Sequence, residues 1–206
     1  MICDLLPSHF IMNKILFLLL VLFFSAFAQQ ISVLTDARDG KKYKTVEIGN
    51  QMWMAENLNY DIKGSKCYDN KPDNCAKYGR LYNWQTANTA CPNGWHLPSR
   101  AEWEALTMEV GGEKTEGLKL KAKSGWDSNG NGTDDFGFSA LPGGSGYSDG
   151  RFFSVGYYGY WWSSSEYNSY GAYYRGMYYY DEGAIWYSGN KASLSSVRCV
   201  QETEQW

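Results

Sequence analysis

Histidine is almost missing from this chain, with 2 in 206 residues, His9 and His96. His9 precedes a leader-like segment, which leaves His96 alone to deprotonate a nucleophile, as a Ser or Cys hydrolase requires. Set between Trp95 and Leu97-Pro98, it reads as a turn residue rather than a catalyst. Charge of one sign is scarce as well. Lys and Arg number 19 against 22 Asp and Glu, a net charge of −3 with no long run of either. Nucleic acid therefore has no electrostatic footprint here. Past Phe24 no apolar run is long enough to span a bilayer, and no membrane insertion is expected. The 5 cysteines fit no zinc spacing. Asp and Glu are plentiful, but nothing singles out a pair for glycoside hydrolysis.

What is there begins at the N-terminus. Ile15 to Phe24 is an almost unbroken apolar run, preceded by Lys14 and followed by Ala26-Phe27-Ala28. That order is the pattern of a secretory signal peptide. Residues 1–28 are assigned to it, with Met12 as the expected start, and residues 29–206 to a single domain. Gln29 stands where a lipoprotein would carry Cys, so no lipid anchor is expected. The product should be secreted or at the cell surface, in the periplasm or outside.

Cysteine usage agrees with export. Beyond Cys3 of the leader, Cys67, Cys75, Cys91 and Cys199 allow three pairings. Cys67 and Cys75 enclose Pro72 and several Asn and Asp residues, a natural small loop. Cys91 and Cys199 are then left to tie the middle of the chain to its last strand. An oxidising compartment favours both bridges over free thiols.

Along the chain, Gln29 to Asp39 reads as a leading strand and turn. Lys44–Ile48 and Gln51–Met54 alternate around Gly49-Asn50 as a hairpin. Residues 56–78 read as irregular, and 81–90 as a short helix. Ser99 and Glu102 form a capping box ahead of a helix whose Trp103, Leu106 and Val110 share a face, stopped by Gly111-Gly112. A further short helix is expected over 116–122. From Phe136 short aromatic runs between Gly, Ser and Asn predict antiparallel strands at 138–141, 151–153, 160–163, 172–180, 184–187 and 197–200. The whole is one α+β domain, helices first and strands after.

Of 17 tyrosines, 12 lie between Tyr147 and Tyr187, among Gly, Ser and Asn rather than Leu and Val. Such composition supplies rigid amphipathic contact area and adaptable hydrogen bonds, as in a paratope. Tyr and Trp are also good strand formers, and both readings stand at this point.

Four phrases carry more specific information. They are Gly49-Asn50-Gln51-Met52-Trp53-Met54-Ala55-Glu56-Asn57-Leu58-Asn59-Tyr60, Cys91-Pro92-Asn93-Gly94-Trp95-His96-Leu97-Pro98-Ser99-Arg100-Ala101-Glu102-Trp103, and Gly132-Thr133-Asp134-Asp135-Phe136-Gly137-Phe138-Ser139-Ala140-Leu141-Pro142-Gly143-Gly144. The fourth is Tyr160-Trp161-Trp162-Ser163-Ser164-Ser165, closed by Ser196-Val197-Arg198-Cys199-Val200. In this order they resemble the Fibrobacter succinogenes major paralogous domain family, over about Thr35 to Gln201. That family is similar to the formylglycine-generating enzyme domain, whose LPTEAEWE phrase is echoed by residues 97–104. The resemblance implies a C-type-lectin-like fold, with two helices packed on twisted, mostly antiparallel sheets with long loops. It also implies first and last strands lying side by side, which a Cys91–Cys199 bridge suits. It implies no established activity. Formylglycine-type chemistry would need a reactive cysteine pair near the C-terminus, and only Cys199 lies there.

Asp127-Ser128-Asn129-Gly130-Asn131-Gly132 matches the opening of a calcium loop, but Phe138 stands where the bidentate Glu belongs. Asp127, Asn129, Asn131 and Asp134 would be the ligands of a differently shaped cage. An ion-free Asn/Gly turn is the preferred alternative, and no other cofactor is implied. The triplets by which calcium-dependent lectins read sugars are missing. Flat stacking of Trp161, Trp162 or Trp186 on sugar faces remains open. The expected function is a secreted, non-enzymatic binding module for a polysaccharide or a protein. Its expected contacts are Tyr167, Tyr170, Tyr173, Arg175, Tyr178, Tyr180, Trp186 and Trp162. Alternation along strands should bury about half of the aromatic set. A structural or adhesive surface component, or a divergent enzyme, are the alternatives.

Overall fold

The computed structural model describes residues 31–202, so the expected leader and its expected cleavage site lie outside the described residues. Strands β1 (Ile31–Thr35), β2 (Lys42–Ile48), β3 (Gln51–Met54) and β12 (Val200–Glu202) form an antiparallel sheet in the order β1-β2-β3-β12. The β2–β3 hairpin turns at Gly49, whose φ of 62° an L side chain adopts only with strain. On β2, Tyr43, Val46 and Ile48 face inward while Lys42, Lys44 and Glu47 face solvent.

A larger sheet has the order β10-β9-β8-β11-β5-β4. Its strands are β4 (Ser65–Lys66), β5 (Leu81–Tyr82), β8 (Tyr158–Glu166), β9 (Gly171–Tyr178), β10 (Ala184–Asn190) and β11 (Ser195–Ser196). Only β11 and β8 pair in parallel. Strands β6 (Ser145–Gly146) and β7 (Phe152–Phe153) make a small separate hairpin.

Four helices accompany the sheets: α1 (Pro72–Tyr78), α2 (Trp84–Ala90), α3 (Arg100–Glu109) and α4 (Glu113–Leu120). The predicted capping box is formed at α3. Glu102 N donates to Ser99 Oγ at 3.2 Å, and Ser99 N donates to Glu102 Oε2 at 2.7 Å. Trp103 and Leu106 then enter the main core with Trp53, Phe138, Trp161 and Met177, where the Trp53 and Trp103 rings lie 4.8 Å apart. A second core gathers Tyr43, Tyr82, Trp162, Leu97 and Val197. Both expected bridges, Cys67–Cys75 and Cys91–Cys199, are formed.

Arg198 joins three of the phrases that carried the resemblance. It is fully buried, and its five N–H groups reach the carbonyls of Met54, Phe138 and Ser139 and, twice, Asn57 Oδ1. Asn57 Oδ1 also accepts from Trp161 Nε1 at 2.8 Å, and Asn57 Nδ2 donates to Tyr78 O at 2.9 Å. Buried donors left unmade are costly, which is why these separate segments are held in one arrangement.

Several expectations need correction. Among the described residues four α-helices are present instead of two. Residues 56–78 are not wholly irregular, because Pro72 opens α1 at a first-turn position where its missing N–H costs nothing. The last short helix runs over 113–120, starting directly after the Gly111-Gly112 turn. Residues 138–141 form no strand, only a single bridge from Ala140 to Lys121, since Phe138 is drawn into the core. The first and last strands share a sheet but not an edge, because β12 pairs with β3 and β1 lies beyond β2.

Candidate ligand-binding groove on the tyrosine-rich sheet

Strands β8, β9 and β10 are sequential antiparallel neighbours, and their register sorts the aromatic residues by face. Tyr158 pairs with Tyr178, Tyr160 with Gly176, Trp162 with Tyr174, and Tyr174 with Tyr187. Alternation places these on one face. The other face turns Trp161, Arg175 and Met177 inward. The outer rings contact one another mainly edge to face. Tyr160 meets Tyr174 at 5.5 Å and 87°, Trp162 meets Tyr174 at 5.7 Å and 86°, and Tyr158 meets Tyr178 at 4.8 Å. Tyr174 and Tyr187 stack at 5.7 Å and 20°. Such pairs contribute about 0.5–1.5 kcal/mol beyond their buried area. Glycines make the room. A Cβ on Gly189 would come 2.9 Å from Tyr174 Cε1, and one on Gly176 3.4 Å from Tyr160 Cδ1.

Beside these rings lies a groove of about 340 Å³, closed by β6 and the chain after β10. Tyr147, Tyr160, Trp162 and Tyr174 supply its aromatic lining, and Ser145, Asn190, Ser193 and Ser195 its polar groups. No charged residue lines it. The volume falls in the range of small-ligand sites, about 300–1,000 Å³. Burial pushes the Tyr160, Tyr174 and Tyr178 hydroxyls up, helped by neighbouring tyrosines. These phenols therefore stay protonated at neutral pH, as hydrogen-bond donors and acceptors.

The predicted contacts divide sharply. Tyr170 is 80% exposed, Tyr180 64% and Tyr167 56%. Tyr173 and Trp186 are half-buried on the opposite face, with the Arg100 guanidinium 4.8 and 5.4 Å from their rings. Three placements are corrections. Arg175 alternates onto the inner face, where it is fully buried and paired with Glu116, with Thr107 hydrogen-bonded to both. Burial pushes the Glu116 carboxyl up, and Arg175 opposes that shift. Tyr178 is buried under Tyr158 and Tyr180. Trp162 is fully buried, its Nε1 donating to Tyr82 O at 2.8 Å, so it offers no free face for stacking. Trp161 is fully buried too. Tyr147, Tyr160, Asn190, Ser193 and Ser195 line the groove in addition to the expected contacts. The alternation Tyr158, Tyr160, Trp162 is the signal that pointed to Tyr160.

The other candidates have different roles. Ser128 and Asn129 take left-handed φ values of 52° and 60°, the geometry of an Asn/Gly turn. Asn131 Oδ1 accepts from Trp126 N at 3.0 Å, and Asp134 accepts from Ser139 N and Oγ, both at 2.7 Å. Asp127, the first of the four, lies against Gly156. Two of the four candidate calcium ligands are thus committed to the loop itself. Among the described residues no three His, Cys, Asp or Glu side chains group as a metal would need. His96 Nε2 lies 2.5 Å from Glu102 Oε1, attached to the α3 cap. Cys199 is bonded to Cys91 and is no free thiol.

No curated protein and no solved structure matches the chain significantly. Residues 46–201 match the Fibrobacter succinogenes major domain, and this protein belongs to that family.

Proposed function

We propose that this protein is an exported, non-enzymatic binding module of lectin-like fold that holds an uncharged polysaccharide in the groove beside β8 and β9. The observation that carries this reading is the groove's lining, aromatic rings and neutral hydrogen-bonding groups without a single charge. Pyranose rings present apolar C–H faces ringed by hydroxyls. Tyr160 and Tyr174, set at 87° to each other, offer walls for such faces. Asn190, Ser193 and Ser195 offer partners for the hydroxyls, and exposed Tyr180 and Tyr187 extend the aromatic surface beyond the groove. Ring stacking of this kind requires no calcium.

Export is supported by the leader pattern and the two disulfides. No helix of the described residues is long and apolar enough to cross a membrane. The lectin-like reading rests on the family resemblance, with the Cys91–Cys199 bridge joining the helical region to the last strand.

The test is a glycan array probed with wild type and with a Tyr160→Ala/Tyr174→Ala double variant. Neutral glycans should bind wild type and be lost by the variant while its fold persists by circular dichroism. A stable oligomer that binds no glycan would overturn the reading and favour a structural or adhesive component.

A further inference from the structure

A second cleft, of about 380 Å³, shares no lining residue with the tyrosine groove. It lies among β2, the chain following β3, the end of α1, and loops near residues 122 and 139. Its charge is lopsided. Lys41, Lys42, Lys44 and Lys77 line it against a single acid, Glu56, in a chain whose net charge is −3. Lys41 is satisfied by Asp39 Oδ2 at 3.0 Å and Asn59 O at 2.6 Å. Glu56 is engaged too, since its Oε2 accepts from the backbone N of Lys44 at 3.0 Å. Lys42, Lys44 and Lys77 make no ion pair among the described residues.

The floor adds positive charge from below. Asn57 and Ser139 line the cleft, and both also accept hydrogen bonds from buried Arg198. All acceptors of that guanidinium are neutral, carbonyls and one side-chain amide. Burial accordingly lowers its pKa to about 9, with Asp134 and Glu56 only partly offsetting the penalty. A buried cation whose direct hydrogen-bond acceptors are all neutral, placed behind ammonium groups that make no ion pair in a concave wall, concentrates positive potential in the cleft.

We infer that this cleft binds an oxyanion, a carboxylate, phosphate or sulfate group carried by a ligand. The site is distinct from the uncharged groove. It lies where the first and third of the phrases carrying the family resemblance meet, through Glu56, Asn57, Ser139 and Leu141. Lys42 and Lys77 are exposed and, among the described residues, make no hydrogen bond or ion pair through their side chains; Lys77 Nζ lies 4.8 Å from the Tyr78 ring at the cleft wall, a contact that leaves its N–H groups free for an anion.

The experiment is calorimetric titration of the purified protein at low ionic strength with inorganic phosphate, inorganic sulfate and an oligogalacturonate. An uncharged cello-oligosaccharide serves as the control. At least one anionic probe should bind, weaken as salt is raised, and weaken at least tenfold in Lys42→Gln/Lys77→Gln with an unchanged melting temperature. The probe that binds identifies the anion's source. Tyr160→Ala/Tyr174→Ala should leave that binding intact, which separates this site from the glycan groove. Failure of all three anionic probes, or equal affinity in wild type and the lysine variant, would overturn the assignment.

Discussion

Arg198 donates from both Nε and Nη2 to the single Oδ1 of Asn57, at 3.2 and 2.8 Å, in a region sealed from solvent. The same oxygen accepts from Trp161 Nε1. Asn57→Ala therefore strands three buried donors at once, each costing about 1–3 kcal/mol. The expected loss is at least about 3 kcal/mol, read as a lower urea midpoint with unchanged slope. Asn57→Asp should be milder than Asn57→Ala, because a carboxylate keeps the acceptor for Arg198. If both variants unfold at the wild-type midpoint, Arg198 is not the organising group.

The two disulfides differ in what they restrain. Cys91–Cys199 spans a separation of 108 residues and Cys67–Cys75 one of 8. By loop entropy the long closure contributes about 4.8 kcal/mol and the short one about 2.5 kcal/mol. Cys91→Ala/Cys199→Ala should thus lower the melting temperature clearly more than Cys67→Ala/Cys75→Ala. Equal shifts in a scanning calorimeter would contradict this ordering.

Local features of the fold were legible where one short segment decides its own structure. The capping box at Ser99 and Glu102, the Gly49 hairpin and the Cys67–Cys75 loop are of that kind, and Cys91–Cys199 followed as the pair that remained. Pro72 was misjudged because the surrounding Asn and Asp favour turns, and only the missing N–H at a first-turn position marks α1. The site was harder. Composition flagged the tyrosine-rich stretch, but which ring faces solvent depends on strand register. Arg175 and Trp162 looked like surface anchors until register turned one onto Glu116 and capped the other with Tyr82. The groove's polar wall, Asn190, Ser193 and Ser195, runs from the last residue of β10 to the first of β11 and carries no local signature. The lysine cleft was invisible for the same reason, since its charges come from β2 and α1.

Acid should weaken the N-terminal hairpin. The hydrogen bonds from Arg38, with Nε at 2.9 Å and Nη2 at 2.7 Å, hold the Asp36 carboxyl below the usual carboxylate range. A depressed carboxylate adds stability above its unfolded value near 3.9, and that stability is lost as pH falls through the folded value. Arg38 also donates to Ala90 O and Cys91 O, so the pair ties β1 to the end of α2. Asp36→Asn should cost about 1.5 kcal/mol at neutral pH, after allowance for the partly exposed Arg38. Its unfolding free energy should converge on wild type below about pH 4. A gap that stays constant with pH would mean the carboxylate's charge contributes nothing.

Gly189 offers the sharpest separation of binding from folding. Its φ is not left-handed, so alanine brings no backbone strain there. The added methyl would sit 2.9 Å from Tyr174 Cε1, at the groove wall. Tyr174 is half-buried with rings on several sides, so it yields by tilting into the groove rather than into the packed interior. Gly189→Ala should therefore cost little stability, about 1 kcal/mol as a mild overpacking, yet weaken glycan binding about tenfold. Gly159→Ala supplies the contrast, because its Cβ would strike the buried Trp161 ring and should destabilise without touching the groove directly. Measuring affinity and melting temperature for both variants decides the matter. If Gly189→Ala binds neutral glycan as wild type does, the ligand does not lie against Tyr174.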